Sequence, residues 1–278
     1  MLGLLPLVLY IPNNVKKIFI HHELGFIKND LFIKQMNGNK YQWAQKHLGD
    51  IMEIGLLNRY DSIVTLSQTD KNKLTKAGVQ VPIYSSFAVI NSINTFSIES
   101  TKYTELTFLG PENHTPNSIG LLWFLENCWH ELLNINNEYK LKIIGIWKDE
   151  SIRNLNKKYK NLRFVGFVQN LEEALKNTIM IVPITIGSGI RIKILEAATY
   201  GVPIVSTHVG AEGLPLSDGI NCFLSDTPNE FIQSIIKLKD KDLRFSFIYK
   251  ANEVIKNNYS LKELTKNRIE IYEETISL

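Results

Sequence analysis

The sequence predicts an α/β protein built on parallel sheets, and three observations carry that prediction. Short apolar runs alternate with helical stretches along most of the chain, as strands covered by helices on both faces require. Gly110, Gly145, Gly166 and Gly187 each close such a run, at the carboxyl ends where ligands bind in these sheets. The segment IMIVPITIGSGIRIKILEAATYGVPIVSTHVGAEG, from Ile179, reads as strand, glycine turn, helix and strand. With 278 residues the chain suits about two domains.

Taken in order, the start Leu2–Ile11 is apolar but lacks a basic leader and a small-residue cleavage site, and Pro6 interrupts it. It is too short to span a membrane and is expected as a core segment of a cytoplasmic protein. Lys17–Ile20 reads as a strand that runs into His21-His22-Glu23. Tyr41–Tyr60 has helical spacing, with Trp43, Leu48, Ile51 and Ile54 near one face. Ser62–Leu66 is a strand, Gln68–Ala77 a helix closed by Gly78, and Val81–Tyr84 another short strand. Asn91–Thr104 is polar and reads as a linker.

The second part is more regular. Leu106–Leu109 is a strand, and Pro116 opens a helix through Leu133. Strands follow at Leu141–Gly145 and Leu162–Val165, with helices to Tyr159 and over Leu171–Lys176. Ile179–Val182, a helix over Gly189–Tyr200 and Pro203–Ser206 come next, then a short strand at Cys222–Leu224 and helices from Pro228 onward, the last capped by Ser260. The division is 1–100 and 101–278, with the final helix returning toward the first part.

Composition excludes several classes. The 44% hydrophobic and 21% charged content is that of a soluble globular chain. A formal charge of +3, carried by scattered lysines, does not suit nucleic acid. Cys128 and Cys222 are the only cysteines, without metal-ligand spacing, and read as buried thiols in a reducing compartment. No GxGxxG follows the first strand of either part, which argues against a dehydrogenase.

The glycine turn is the richest feature. A helix start offers unpaired N–H groups and a positive dipole end, a natural phosphate seat. If the helix begins at Gly189, then Gly189, Lys193, Glu196 and Tyr200 form one stripe, and Ile190, Ile194, Ala197 and Ala198 face the sheet. Glu196 would lie about 10 Å from Gly189 along the axis, which fits a diphosphate at the start and a ribose beside the carboxylate.

GSGIRIKILEAATYGVPIVSTHVGAEGL resembles the nucleotide-sugar signature of group 1 (family 4) glycosyltransferases of GT-B fold. FLGPENHTPNSIGLLWFLENCWHELL, LRFVGFVQNLEEAL and NNYSLKELTKNRIEIYEE are similar to other parts of the same C-terminal domain. IFIHHE and DSIVTLSQTDKNKL resemble the last strands of the N-terminal domain. The resemblance implies a retaining transferase that moves a sugar from a nucleoside diphosphate, UDP or GDP, to an acceptor hydroxyl of a glycan or lipid-linked acceptor. No metal or other cofactor is expected, and surface glycan synthesis is the expected setting. By position, Gly187, Ser188 and Gly189 would cradle the diphosphate and Glu196 the ribose. Ser188 stands where many relatives have a Glu. The loop after the first strand of this domain, with Gly110, His114 and Asn117, carries no Lys or Arg, so Arg191 and Lys193 are expected to neutralise the leaving diphosphate. His22, beside Glu23, is expected at the donor sugar or acceptor, assisting proton removal. His21, His22 and Glu23 do not make a metal site, because adjacent strand residues face opposite ways.

The family pattern also implies a shortened N-terminal domain. Three readings stay open from this: an active transferase, a non-catalytic remnant that binds a nucleotide sugar, and a subunit completed by a partner protein. Peripheral contact with the inner face of a membrane stays open too.

Overall fold

The structure, a computed structural model, describes residues 4–35, 37–87 and 103–278. Most of the expected linker, and the division at residue 100, lie outside the described residues.

The first part is a parallel sheet of β1 (Ile18–His21), β2 (Ser62–Thr65) and β3 (Ile83–Ser85), in that spatial order. The crossovers carry α1 (Gly25–Gln35), α2 (Lys40–Leu57) and α3 (Gln68–Lys76). Asn39 caps α2 with a reciprocal capping box through Gln42, so its start is set locally. Helix α1 is not expected from the sequence, since GFIKNDLFIKQ has no clean apolar stripe. The start of the chain is a short 3₁₀ helix, Leu5–Tyr10, that covers this sheet's core. Leu5 and Val8 are buried with Leu57, Ile63 and Leu74, and the Tyr60 hydroxyl donates to the Leu5 carbonyl at 2.9 Å. The face of α2 read from the sequence is buried only in part, through Ile54, which packs against this core, and the half-buried Trp43. Leu48 and Ile51 are exposed, while Glu53 and Leu57 turn inward toward β1 and α1.

The second part is a six-stranded parallel sheet in the order β6-β5-β4-β7-β8-β9. The strands are β4 (Glu105–Leu109), β5 (Lys140–Ile144), β6 (Leu162–Gly166), β7 (Thr178–Val182), β8 (Ile204–Ser206) and β9 (Phe223–Leu224). Successive strands run outward from β4 to β6, and then the chain returns to place β7 on the other side of β4. The strand order therefore switches between β4 and β7, and a crevice opens at their carboxyl ends.

The helix expected as one piece after Pro116 is α4 (Thr115–Phe124), a π turn at Leu125–Trp129 and α5 (His130–Ile135). Then come α6 (Asp149–Lys158), α7 (Leu171–Ala174) and α8 (Ile192–Thr199). The chain finishes with α9 (Pro228–Lys237), α10 (Lys241–Tyr259) and α11 (Leu261–Ser277). One face of the sheet packs Phe108, Phe124, Trp129, Phe231 and Phe247. The other packs Met180, Val182, Ile194, Leu195, Ile204 and Tyr259. Burial pushes the Cys128 and Cys222 thiols up to about 12, so both stay protonated.

Helix α11, capped by Ser260, returns to the first part. Thr275 and Ser62 share a buried hydrogen bond of 2.7 Å, and the Arg268 guanidinium donates to the Ser86 hydroxyl at 2.7 Å. Among the described residues no helix is long and apolar enough to cross a membrane.

Candidate functional site

The carboxyl ends of both sheets face one cleft of about 350 Å³. His22 and Glu23 form its lip on the first part, directly after β1. The β4–α4 loop contributes His114, and the first turn of α4 contributes Pro116 and Asn117. The β7–α8 connection contributes Ile184, Gly187, Ser188, Ile190 and Arg191, and the first turn of α8 contributes Ile192 and Lys193. Seven of the residues singled out from the sequence thus line one space: His22, His114, Asn117, Gly187, Ser188, Arg191 and Lys193. Gly110, Gly189 and Glu196 are not among its lining residues.

The turn differs from expectation in one respect that matters. Helix α8 starts at Ile192, not at Gly189. Gly187 and Gly189 have φ of 132° and 81°, left-handed values that interrupt any helix. Gly189 therefore leaves the expected stripe, and Lys193 and Glu196 remain, about 4.5 Å apart along the axis. The open side of Gly189 is taken by protein. A Cβ there would stand 2.7 Å from the His22 carbonyl oxygen. At Gly187 a Cβ would stand 2.8 Å from Arg191 Nη2. Ser188 donates its hydroxyl to the Leu24 carbonyl at 3.1 Å, so it also reaches toward the first part.

The two cations are held differently. Arg191 is the N-cap of α8 but makes no side-chain cap; its carbonyl accepts from the Ile194 N–H at 2.9 Å, within the first turn. Its guanidinium donates to the Gly189 carbonyl at 2.8 Å. Burial lowers its pKa, against the opposing pull of Glu212, Asp70 and Glu23. Lys193 donates to the Leu109 carbonyl at the end of β4 and to Asn117 Oδ1 at 3.1 Å, with its ammonium 5.3 Å from the Phe108 ring centroid. Burial, and then the Arg191 charge, push its pKa down to about 7.

Asn117 is buried and donates in turn to the Pro111 carbonyl at 3.2 Å. Gly110 lies beneath it; a Cβ there would be 2.5 Å from Asn117 Cγ, and the Gly110 carbonyl accepts from Trp147 Nε1 at 3.0 Å. Gly110 thus supports the floor. Glu196 is half-buried, its pKa raised by burial, and its carboxylate has no hydrogen bond or ion pair among the described residues. The two histidines separate as strand alternation requires. His22 is exposed in the cleft, whereas His21 is buried with Nε2 3.3 Å from Glu53 Oε1. The sequence leaves the role of Glu212 open; in the structure it is ion-paired with Lys73 across the seam between the two parts.

Residues 104–241 match the model of the family described as glycosyl transferases group 1. They form a group 1 glycosyltransferase domain. An uncharacterized 44.6 kDa protein of the cps region of Klebsiella pneumoniae is 24% identical over 216 residues, which cover 74% of this chain and 54% of that protein. Solved structures share the fold. A mutant form of S. aureus TarM in complex with fondaparinux, α-GlcNAc-glycerol and UDP superposes with a TM-score of 0.76 at 15% identity, over 98% of this chain and 54% of TarM. Sucrose-phosphate synthase of Thermosynechococcus elongatus gives 0.74 at 13% identity, over 94% of this chain and 68% of that one. Anabaena HepE in complex with UDP and glucose gives 0.69 at 14% identity, over 94% and 71%. The chain thus spans about half the length of the cps-region relative and of TarM. The group 1 domain contributes the crevice at β4 and β7, and the three-stranded part closes it, in the GT-B manner of these neighbours.

Proposed function

We propose that the chain binds a nucleoside-diphosphate sugar in this cleft and transfers the sugar, with retention and without a metal, to an acceptor hydroxyl. The observation that carries the reading is the placement of Arg191 and Lys193 at the uncapped start of α8, at the strand-order switch. A diphosphate is the ligand such a site suits best, since its charge meets backbone N–H groups, the helix dipole and two cations together. As the bond from sugar to diphosphate breaks, negative charge grows on the leaving phosphate oxygen, and cations already in place stabilise it without reorganising.

The other residues follow from their positions. Glu196, unpartnered and one turn beyond Lys193, suits the vicinal hydroxyls of a ribose. Asn117 and the floor on Gly110 orient Lys193. His22 and Glu23 face the phosphate seat from across the cleft, where the sugar and the acceptor hydroxyl would lie, and His22 is placed to take the hydroxyl proton. UDP is the first donor base to test, because the TarM and HepE structures hold UDP. The cps-region relative supports surface polysaccharide synthesis as the setting.

Titration of UDP-, GDP- and ADP-sugars by thermal shift, followed by an assay of donor hydrolysis, tests the reading. A shift together with turnover is expected. A shift without turnover selects the nucleotide-sugar-binding subunit instead. No shift with any of the three removes both.

A further inference from the structure

Beside the cleft, the two parts meet along contacts that the proposed chemistry leaves unused. Helix α3 begins at a turn in which the Ser67 hydroxyl accepts from the Asp70 N–H at 3.0 Å. Gly213, in the β8–β9 connection, packs on that turn. A Cβ on it would stand 2.9 Å from Ser67 Cβ and 3.7 Å from Ile190 Cγ1, and Ile190 lines the cleft. One residue earlier, Glu212 accepts from Lys73 Nζ at 2.5 Å. Their side chains are only 23% and 30% exposed, so this pair is less screened than an ordinary surface ion pair. Asp70 is buried nearby, within the field of both members of the pair. Closer to the phosphate seat the two parts touch more lightly, through the Ser188–Leu24 hydrogen bond and the packing of Gly189 on the His22 carbonyl. The α11 contacts hold the first part at Ser62, at the opposite end of β2 from the cleft, and at Ser86, just after β3.

We propose that Lys73 and Glu212 are positioning residues whose ion pair clamps the two parts together over the cleft and so sets where His22 and Glu23 stand relative to the phosphate turn. The inference rests on the donor reading only for what the cleft holds; the clamp itself is a property of the ligand-free protein. Helix α3 carries Lys73, and β2 and β1 connect it to His22 within one sheet. Loosening the pair therefore moves the lip as a unit, while Arg191, Lys193 and Asn117 stay anchored in the group 1 domain. Donor contacts belong to one side of the seam, and placement of the sugar depends on both.

Hydrogen exchange on the ligand-free protein decides it, using Lys73→Met, Glu212→Gln, the double variant and the reversed pair Lys73→Glu/Glu212→Lys. Each single variant should speed exchange about tenfold at residues 22–25 and 187–190, and the double should do no more, as expected for one shared interaction. The reversed pair should restore protection only in part, because position 73 then carries a negative charge near Asp70 and position 212 a positive one near Arg191. Exchange in β4 and β7 should match the parent in all four, which shows the core is kept. Parent-like exchange at 22–25 and 187–190 in both single variants overturns the clamp, and so does additive loss in the double. UDP and UDP-glucose separate this from the donor reading. If the parent shows no thermal shift with UDP, the donor reading falls while the exchange result still judges the clamp. If the parent hydrolyses UDP-glucose, both single variants should lose about tenfold in kcat, and Lys73→Met, which leaves the Glu212 charge near Arg191, should keep UDP affinity within about twofold. An unchanged kcat there overturns the clamp and leaves the donor reading standing.

Discussion

In the six-stranded sheet β7 is buried along its whole length and β4 and β5 nearly so, whereas in the three-stranded sheet only β2 is fully buried and β1 is half-exposed up to His21. The helices differ in the same way. Both cores around the six-stranded sheet are closed by large side chains such as Trp129, Phe231 and Tyr259, while α2 of the first part leaves Tyr41, Leu48, Ile51 and Met52 exposed. The charges facing the cleft differ too. The group 1 domain supplies Arg191 and Lys193, and the first part supplies Glu23 and the His22 ring. The contrast implies a division of labour. The rigid half holds cations against a fixed floor, where preorganisation helps most. The lighter half brings the His22 ring and a backbone carbonyl that already rests on the turn at Gly189.

The sharpest test of that division is Arg191→Ala/Lys193→Ala. With both cations gone, donor turnover should fall by about 10²–10³-fold, the scale of losing preorganised charge stabilisation. The fold should persist, because neither residue belongs to the two hydrophobic cores and the ammonium's contacts with Phe108, Leu109 and Asn117 are the local loss. Steady-state hydrolysis of UDP-sugar alongside a circular-dichroism melt checks both parts. Near-normal turnover would place the phosphate seat elsewhere and erase the distinction between the halves.

A smaller effect is expected where the halves touch. Gly189→Ala places a Cβ against the His22 carbonyl at a φ of 81°. A backbone atom cannot rotate away, so the turn must shift, at a cost of about 1–3 kcal/mol. Urea unfolding measures this. A change below about 0.3 kcal/mol would mean that the turn does not rest on His22 as described.

Next comes pH. The Lys193 ammonium has its pKa pushed down to about 7 from 10.5, chiefly by burial. The cost of burying that charge is therefore fully present below pH 7 and relieved as pH rises toward 10.5, so this group adds stability with rising pH. Ligand binding runs the other way. A seated diphosphate favours the charged ammonium, so UDP binding takes up a proton above pH 7, and affinity should fall by up to about tenfold per pH unit there. Calorimetric titration at about pH 6.5, 7.5 and 8.5 tests this, with Lys193→Met as the reference that removes the response. Equal pH dependence in the two proteins would show that Lys193 does not titrate with binding.

These effects also mark what a sequence can disclose. The strands of the six-stranded part are legible to within a residue or two, because short runs rich in apolar residues, several of them closed by glycine, alternate with helical stretches. The phosphate turn is legible for the same reason, but the spacing starts its helix three residues early. Helical spacing continues through Gly189 on paper, and only the positive φ values of Gly187 and Gly189 show that the chain has not yet turned helical. Helix α1 escapes notice, since its apolar residues do not keep one stripe. Strand alternation separates His22 from His21, yet the burial of His21 on Glu53 depends on the packing of α2. Contacts across the seam, such as Lys73 with Glu212 and Ser188 with Leu24, join residues 139 and 164 apart, and no local pattern pairs them.

The smallest effect concerns glycine in the lighter half and is the counterpart of Gly189. Gly49 lies in the middle of α2, between Lys40 and Leu57, and a Cβ there would meet nothing within 4 Å. No close approach requires it, and it carries only the entropic penalty of glycine in a helix. Gly49→Ala should therefore stabilise the protein by about 0.5–1 kcal/mol, opposite in sign to Gly189→Ala. UDP affinity should stay at the parent value, because α2 contributes no residue to the cleft lining. The same urea titration reads both variants. A destabilised Gly49→Ala would mean that α2 is packed on that side by something the present contacts do not include, and the first part would then be less open than its exposed Leu48 and Ile51 imply.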